Sequence, residues 1–452
     1  MTDDDSTGVD AANRLPDDVA LALGRAWADD APWNVLTALT ELDDQMTGHP
    51  GERRAAELAA EAFEDAGARD ASIDTFDLPV WTRGDCSLAL TEPKQREFDA
   101  IALPYAPAGD VAGSLVDVGY GTESAFEDAD VAGNVVLAST DSPPEGRLVH
   151  RMEKYGRAVD RDAAGFVFYN HKDGQLPPTG SLRFGREAEI PAVGVSKETG
   201  AWLQEYADRD GTVSLSVDAT TEPGTGTNAH ARLGPDTDEE VVVVAHHDAH
   251  DIAEGALDNG CGVATLAAAA RVLADLDLDC AVRVATVGAE EVGLLGSQAL
   301  ASSLDPERVR AVVNVDGAGR YRTLRAFTFG EDAFESAVDA VAERANRPVE
   351  TTAHVHPYSD HWPFLRRGVP AVQLHSVTEE RGRGWGHTHA DTRDKADARN
   401  LREHGMLAAL LVQDLASRDV PRPDQDALRG RLLDADQRPG MEAAGVWPEN
   451  WD

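Results

Sequence analysis

Apolar residues in this chain come in short blocks that stop at clusters of charge. Val241-Val242-Val243-Val244-Ala245 is a β-branched run with no polar alternation, which predicts a strand buried on both faces, and it empties into His246-His247-Asp248. A second apolar run reaches Gly288-Ala289-Glu290-Glu291, and a third, residues 309–315, ends at Asp316-Gly317. Between the first two lies the turn sequence Asp258-Asn259-Gly260, followed by an alanine-rich stretch over 263–273 that predicts a helix; residues 55–66 predict another. Apolar strands separated by helices predict an open α/β sheet, whose strand carboxyl ends face one crevice.

That topology decides what the charged residues can do. Adjacent acids at the edge of a core strand repel each other and resist desolvation unless a cation or a shared proton holds them, so Glu290 and Glu291 ask for a metal. His246, Asp258, the glutamate pair and Asp316 converge on the crevice, and His387 in His387-Thr388-His389-Ala390-Asp391-Thr392 adds a second imidazole. Two imidazoles and three carboxylates, one able to bridge, suit a pair of zinc ions about 3.5–4 Å apart better than one closed structural site. Asp258, Glu291 and Asp316 largely balance the four charges of two divalent ions, which leaves Glu290 as a free base.

Residues 83–221 interrupt this pattern. About 140 residues cannot be a loop inside a compact domain. Asp130-Val131-Ala132-Gly133-Asn134-Val135-Val136-Leu137-Ala138, Ala163-Ala164-Gly165-Phe166-Val167-Phe168-Tyr169-Asn170 and Ile190-Pro191-Ala192-Val193-Gly194-Val195-Ser196 predict three short strands of a small β-rich domain. The expected division is a catalytic domain in two parts, 1–82 and 222–420, an inserted domain at 83–221 and a C-terminal tail at 421–452.

The segments around His246, Asp258, Glu290-Glu291, Asp316 and His387 resemble the dizinc aminopeptidase family that includes bacterial leucyl aminopeptidase, glutamate carboxypeptidase II and transferrin receptor. Thr47-Gly48-His49-Pro50-Gly51-Glu52-Arg53 extends the resemblance, as does Ser359-Asp360-His361-Trp362-Pro363-Phe364 with Gly368-Val369-Pro370. The insert resembles the protease-associated domain that roofs the cleft in relatives. The resemblance implies a three-layer α/β/α sandwich with a mixed central sheet and two Zn2+ per chain. His246 and Asp316 would hold metal together with bridging Asp258, and Glu291 and His387 would complete the set. Glu290 would be the general base, Asp248 would fix the imidazole of His246 through its far nitrogen, and the Asp258–Asn259 peptide would be cis. Many relatives carry Tyr before the last histidine where this chain has Gly386, which leaves the oxyanion donor open among His247, His361 and His389. His250, Asp251 and Glu254 lie on the loop between the first two ligands, with either a site or a solvated role.

The implied function is a zinc-dependent exopeptidase acting on peptides, in the first place an aminopeptidase. Carboxypeptidase or dipeptidase activity is the alternative, for which Arg381 and Arg383 would receive a substrate carboxylate. Asp258-Asn259-Gly260 and an insert placed before His246 speak against the desuccinylase branch, and retention of both His246 and Asp258 speaks against a single-zinc cyclase. A metal-free, receptor-like binding protein is a rival from another class, opposed by the complete ligand set.

Composition adds the surroundings. Asp and Glu outnumber Lys and Arg by 81 to 41, a net charge of −40, and lysine is limited to Lys94, Lys154, Lys172, Lys197 and Lys395. Such self-repulsion is screened in concentrated salt, and the composition resembles proteins of salt-in halophiles. Nucleic acid and anionic membranes are unsuitable partners for it. No run of 18 apolar residues occurs, and the acidic start Met1-Thr2-Asp3-Asp4-Asp5-Ser6 leads into no apolar export signal. With three cysteines, at least one thiol is unpaired, so the expected compartment is the cytoplasm. The oligomeric state is not legible, nor is the placement of Trp447 and Trp451.

Overall fold

The computed structural model describes residues 15–377 and 384–451. Its strands, in chain order, are β1 (Arg69–Glu92), β2 (Arg96–Phe98), β3 (Ile101–Ala102), β4 (Gly109–Asp117), β5 (Val135–Ser139), β6 (Gly165–Tyr169), β7 (Ala192–Val195), β8 (Thr212–Leu233), β9 (Glu240–His246), β10 (Ala281–Val287), β11 (Val309–Val315), β12 (Leu324–Phe327), β13 (Glu350–Thr352) and β14 (Ala371–Ser376). The catalytic half runs β13-β12-β14-β11-β9-β10-β8. β10, β9, β11 and β14 are parallel, whereas β8 joins β10, and β12 joins β14, antiparallel. The sheet is therefore mixed, as expected.

The β-branched run of β9 works because both faces of the sheet are covered. Val241, Val243 and Ala245 enter a core with the helices Pro50–Asp65, Cys261–Ala274 and Ala398–Ser417, while Val242 and Val244 enter a second core behind the sheet. In the helix Cys261–Ala274 the alanines permit close approach of its neighbour: a Cβ on Gly405 would lie 2.4 Å from the Cβ of Ala268. The second core includes the chain's end. Trp447 and Trp451 are buried, Trp451 packs edge-on against Trp362, and the Trp362 indole donates to the carbonyl of Val446 at 3.0 Å.

The insert contains the three strands read from sequence, now β5, β6 and β7, and they are parallel. β4 adds a fourth strand, pairing parallel with β5 and antiparallel with β8. The helices Arg151–Val159 and Lys197–Ala207 pack with them, so the insert is an α/β layer rather than strands alone. Only half of Arg151–Val159 is apolar, which hid the helix from a reading built on apolar blocks. The insert is not a loosely tethered module. β1 and β8 pair antiparallel through both halves of the molecule, and the boundaries drawn at 82 and 222 lie nearly opposite one another on that ladder, where Trp81 faces Thr221 and Thr82 faces Thr220.

Candidate active site

Three neighbouring parallel strands deliver the chemistry. His246 ends β9, Glu290 and Glu291 follow β10, and Asp316 follows β11, so one sheet edge presents an imidazole and three carboxylates. Asp258 arrives on the turn before the helix Cys261–Ala274, across a cis peptide bond to Asn259. The Asn259 amide donates to the carbonyl of Val315 at 2.9 Å and its oxygen accepts from the Gly317 N–H at 3.1 Å, which ties this turn to the end of β11 beside Asp316.

These residues form two loci that share Asp258. His246 Nε2 lies 3.4 Å from Asp258 Oδ1 and 4.0 Å from Asp316 Oδ1. His387 Nε2 lies 3.1 Å from Glu291 Oε2 and 3.5 Å from Asp258 Oδ2. Both histidines turn their other nitrogen to a backbone carbonyl: Nδ1 of His246 to Asp248 at 3.1 Å and Nδ1 of His387 to Thr179 at 3.3 Å. That arrangement fixes the tautomer of a metal-ligating histidine and aims Nε2 at the ion. His246 Nε2 and Glu291 Oε1 are buried without a hydrogen-bond partner, and the donor set of imidazole nitrogen and carboxylate oxygen suits zinc. The residues present fit bound zinc.

The adjacent glutamates are driven apart. Burial, opposed by His246 and reinforced by Glu291, Asp316 and Asp360, pushes Glu290 well above the usual carboxylate value. Burial acts against the charge of Glu291 too, yet His387 and His250 hold it well below that value. The two neighbours are thus shifted in opposite directions, Glu290 towards binding a proton more tightly and Glu291 towards staying anionic. His246 reports the same demand for positive charge: burial disfavours its protonation, but Asp248 and Asp258 hold it well above the ordinary imidazole value.

Asp248 does meet the far nitrogen of His246, but mainly through its backbone. Its carboxylate accepts from the backbone N–H groups of Glu290 and Glu291 at 3.1 and 3.2 Å and from the Thr47 hydroxyl at 2.9 Å, with His246 Nδ1 3.5 Å away; it is its backbone carbonyl that takes the imidazole N–H. His247 and His361 are buried in structural contacts, to Glu52 and to the carbonyl of His356, and His389 is exposed, so none of the three presents itself as the oxyanion donor. Arg381 and Arg383 lie outside the described residues.

The sequence reading missed several groups. Arg320 donates to Asp258 at 2.9 Å and to Asp316 at 3.4 Å, a buried cation four residues beyond Asp316 in a run otherwise of small residues. Asp391, pushed up to about 7 by burial, accepts from the N–H groups of Leu257 at 2.6 Å and Asp258 at 3.0 Å and so sets the approach of Asp258. Glu52 buttresses His247 at 3.1 Å. The insert takes part as well: the Thr179 N–H donates to the carbonyl of His387 at 2.8 Å. Thr140, His150, His171 and Phe184 of the insert line a cleft of about 340 Å³ whose other wall holds Glu290 and His387.

A two-lobed α/β fold with this carboxylate and imidazole cluster at its sheet edge defines a hydrolase of the metallopeptidase class. Residues 228–412 match peptidase family M28 and residues 111–203 match the PA domain. The M28 match spans the part of the chain that carries His246, Asp258, Glu290, Glu291, Asp316 and His387, and the PA-domain match lies ahead of it, within the insert. Aminopeptidase YwaD of Bacillus subtilis (strain 168) is 26% identical over 427 residues, 89% of this chain and 88% of that protein. Leucine aminopeptidase 2 of Trichophyton rubrum is 28% identical over 319 residues, 66% of this chain but only 62% of the fungal protein. Among solved structures, an aminopeptidase from Aneurinibacillus sp. strain AM-1 is 25% identical with a TM-score of 0.69, covering 90% of this chain and 97% of that one. An M28 peptidase precursor from Shewanella amazonensis SB2B shares the fold at 21% identity and a TM-score of 0.76, with the same coverage.

Proposed function

We propose that this chain is a zinc-dependent aminopeptidase that removes N-terminal residues from peptides at a dinuclear site. The observation that carries the reading is the pair of loci sharing Asp258, one with His246 and Asp316 and the other with Glu291 and His387, beside an acid held ready to accept a proton. The aminopeptidase names of the relatives from Bacillus subtilis and Trichophyton rubrum support the same choice. Two zinc ions would supply Lewis-acid polarisation of the scissile carbonyl and an acidified water. Glu290 takes the proton from the attacking water on its carboxylate and returns it to the departing amine, so one water is consumed and a free amino acid and a shortened peptide leave. Asp248 and Thr47 keep Glu290 and Glu291 in place through the backbone, and the insert closes the cleft over the reacting centre. The carboxypeptidase or dipeptidase alternative draws on Arg151 and Lys172, cations in the insert's wall of the cleft.

Three free thiols and the net charge of −40 support a reducing, salt-rich cytoplasm as the working environment. No helix of the described residues is long and apolar enough to cross a membrane. We retain the division at 82 and 222 for the insert and at 420 for the tail. The test is a panel of amino-acid nitroanilides beside amino-blocked peptides in concentrated salt. Cleavage confined to free amino termini, abolished by a chelator and restored by zinc, is expected; cleavage of blocked substrates only transfers the chain to the carboxypeptidase alternative.

A further inference from the structure

His250 has entered so far only as one of the two imidazoles that favour the charge of Glu291. It sits on the loop after β9, is only 5% exposed, and neither ring nitrogen has a hydrogen-bond partner. A buried imidazole without a partner forfeits the solvation of two polar atoms, a cost proteins normally avoid. Its Nε2 points at Glu291 Oε2 from 3.2 Å, without the alignment of a hydrogen bond, and its ring meets that of His387 edge-on with centroids 4.7 Å apart.

The spacing has a simple explanation. Zinc–nitrogen and zinc–oxygen bonds of about 2.0–2.1 Å at a tetrahedral angle place donor atoms about 3.3 Å from each other. Around Glu291 Oε2, His250 Nε2 stands at 3.2 Å and His387 Nε2 at 3.1 Å, and His387 Nε2 is 3.5 Å from Asp258 Oδ2. His250, Asp258, Glu291 and His387 enclose, with Asp391, a cavity of about 10 Å³, room for one ion or one water molecule. Among the described residues the other locus has no counterpart to His250: the third group that gathers there with His246 and Asp316 is Glu290.

We infer that His250 is a fourth protein ligand, closing the metal position formed by Asp258, Glu291 and His387, while the position at His246 and Asp316 keeps an open place in front of Glu290. The inference rests on the dinuclear reading above and divides its two positions by the logic that separates closed structural sites from open catalytic ones. The ion held by His250 is then the slower to leave.

The experiment compares the full-length wild type with H250Q, H250A and H250D, each loaded with zinc, counted by elemental analysis and followed as it releases metal to a chelator. X-ray absorption reports imidazoles per zinc, and circular dichroism checks each fold. Two zincs leaving in two phases are expected from the wild type. In H250Q and H250A the slower phase speeds up at least about tenfold, the scale set by losing even a supporting partner of a ligand, while the faster phase is unchanged. H250D, which restores a donor, keeps the slow phase but shows the reduced imidazole signal. A folded H250Q with both phases and an unreduced imidazole signal overturns the assignment of His250 and leaves the metal pair standing. A wild type that binds no zinc removes the dinuclear reading and this inference together.

Discussion

Glu52 offers the sharpest test of how the site is braced from beneath. Its buried Oε1 accepts from the Thr227 N–H at 2.9 Å, the Thr227 hydroxyl at 2.7 Å and His247 Nε2 at 3.1 Å. One carboxylate oxygen thus joins the helix Pro50–Asp65 to β8 and to the residue next to His246. In E52A three buried donors lose their acceptor at about 1–3 kcal/mol each, roughly 3–6 kcal/mol in total after partial relaxation, a large fraction of the about 5–15 kcal/mol that holds a domain folded. E52Q is different, because the amide oxygen occupies the position of Oε1 and forfeits only the assistance of the charge, about 1 kcal/mol. Urea unfolding of the three proteins in the same salt, each midpoint converted with its measured slope, gives the comparison. The reasoning is refuted if E52A unfolds within about 1 kcal/mol of the wild type, or if E52Q is as damaged as E52A.

Three further outcomes are expected. E290Q should retain zinc while kcat falls about 10²- to 10⁴-fold, the usual worth of a positioned base; turnover near the wild-type rate would end the role given to Glu290. Thermal midpoints should rise from salt-free buffer to above about 1 M KCl, where the Debye length is about 3 Å and the repulsion within a chain of net charge −40 is screened; a midpoint independent of salt would dismiss that account of the acidic surface. His404 is buried, accepts from the Gly319 N–H at 2.8 Å, and burial depresses it from 6.5 to about 4. Between those values the unfolded chain takes up a proton that the folded chain refuses, so its share of stability, about 3 kcal/mol, is intact above pH 6.5 and lost as the pH falls towards 4. H404Q should therefore flatten the acid limb of a stability–pH curve, and an unaltered limb would contradict the buried-neutral state.

The readable part of this protein was the part in which one residue type has one physical meaning. The run 241–245 became β9, 309–315 became β11 without a change of boundary, and 263–273 became the core of the helix Cys261–Ala274, because valine-rich or alanine-rich stretches leave little alternative. The helix Arg151–Val159 was illegible, since half its residues are polar or charged and find partners only after folding. Arg147 pairs with Glu153 of this helix and with Asp436 of the tail, bringing together segments far apart in the chain. The docking of Trp447 and Trp451 was hidden for the same reason.

By itself, the sequence determined that an imidazole and three carboxylates stand at the carboxyl ends of buried strands, because apolar blocks ending in charge can be arranged in few other ways. Tertiary structure decided which atoms face each other. It placed Arg320 between Asp258 and Asp316, set the carboxylate of Asp391 against the backbone of Leu257 and Asp258, turned the carbonyl of Thr179 to His387, and buried His250 against Glu291. Each of these depends on a loop path and on distances of a few ångströms between residues remote in the chain, and local pattern carries no information about such distances.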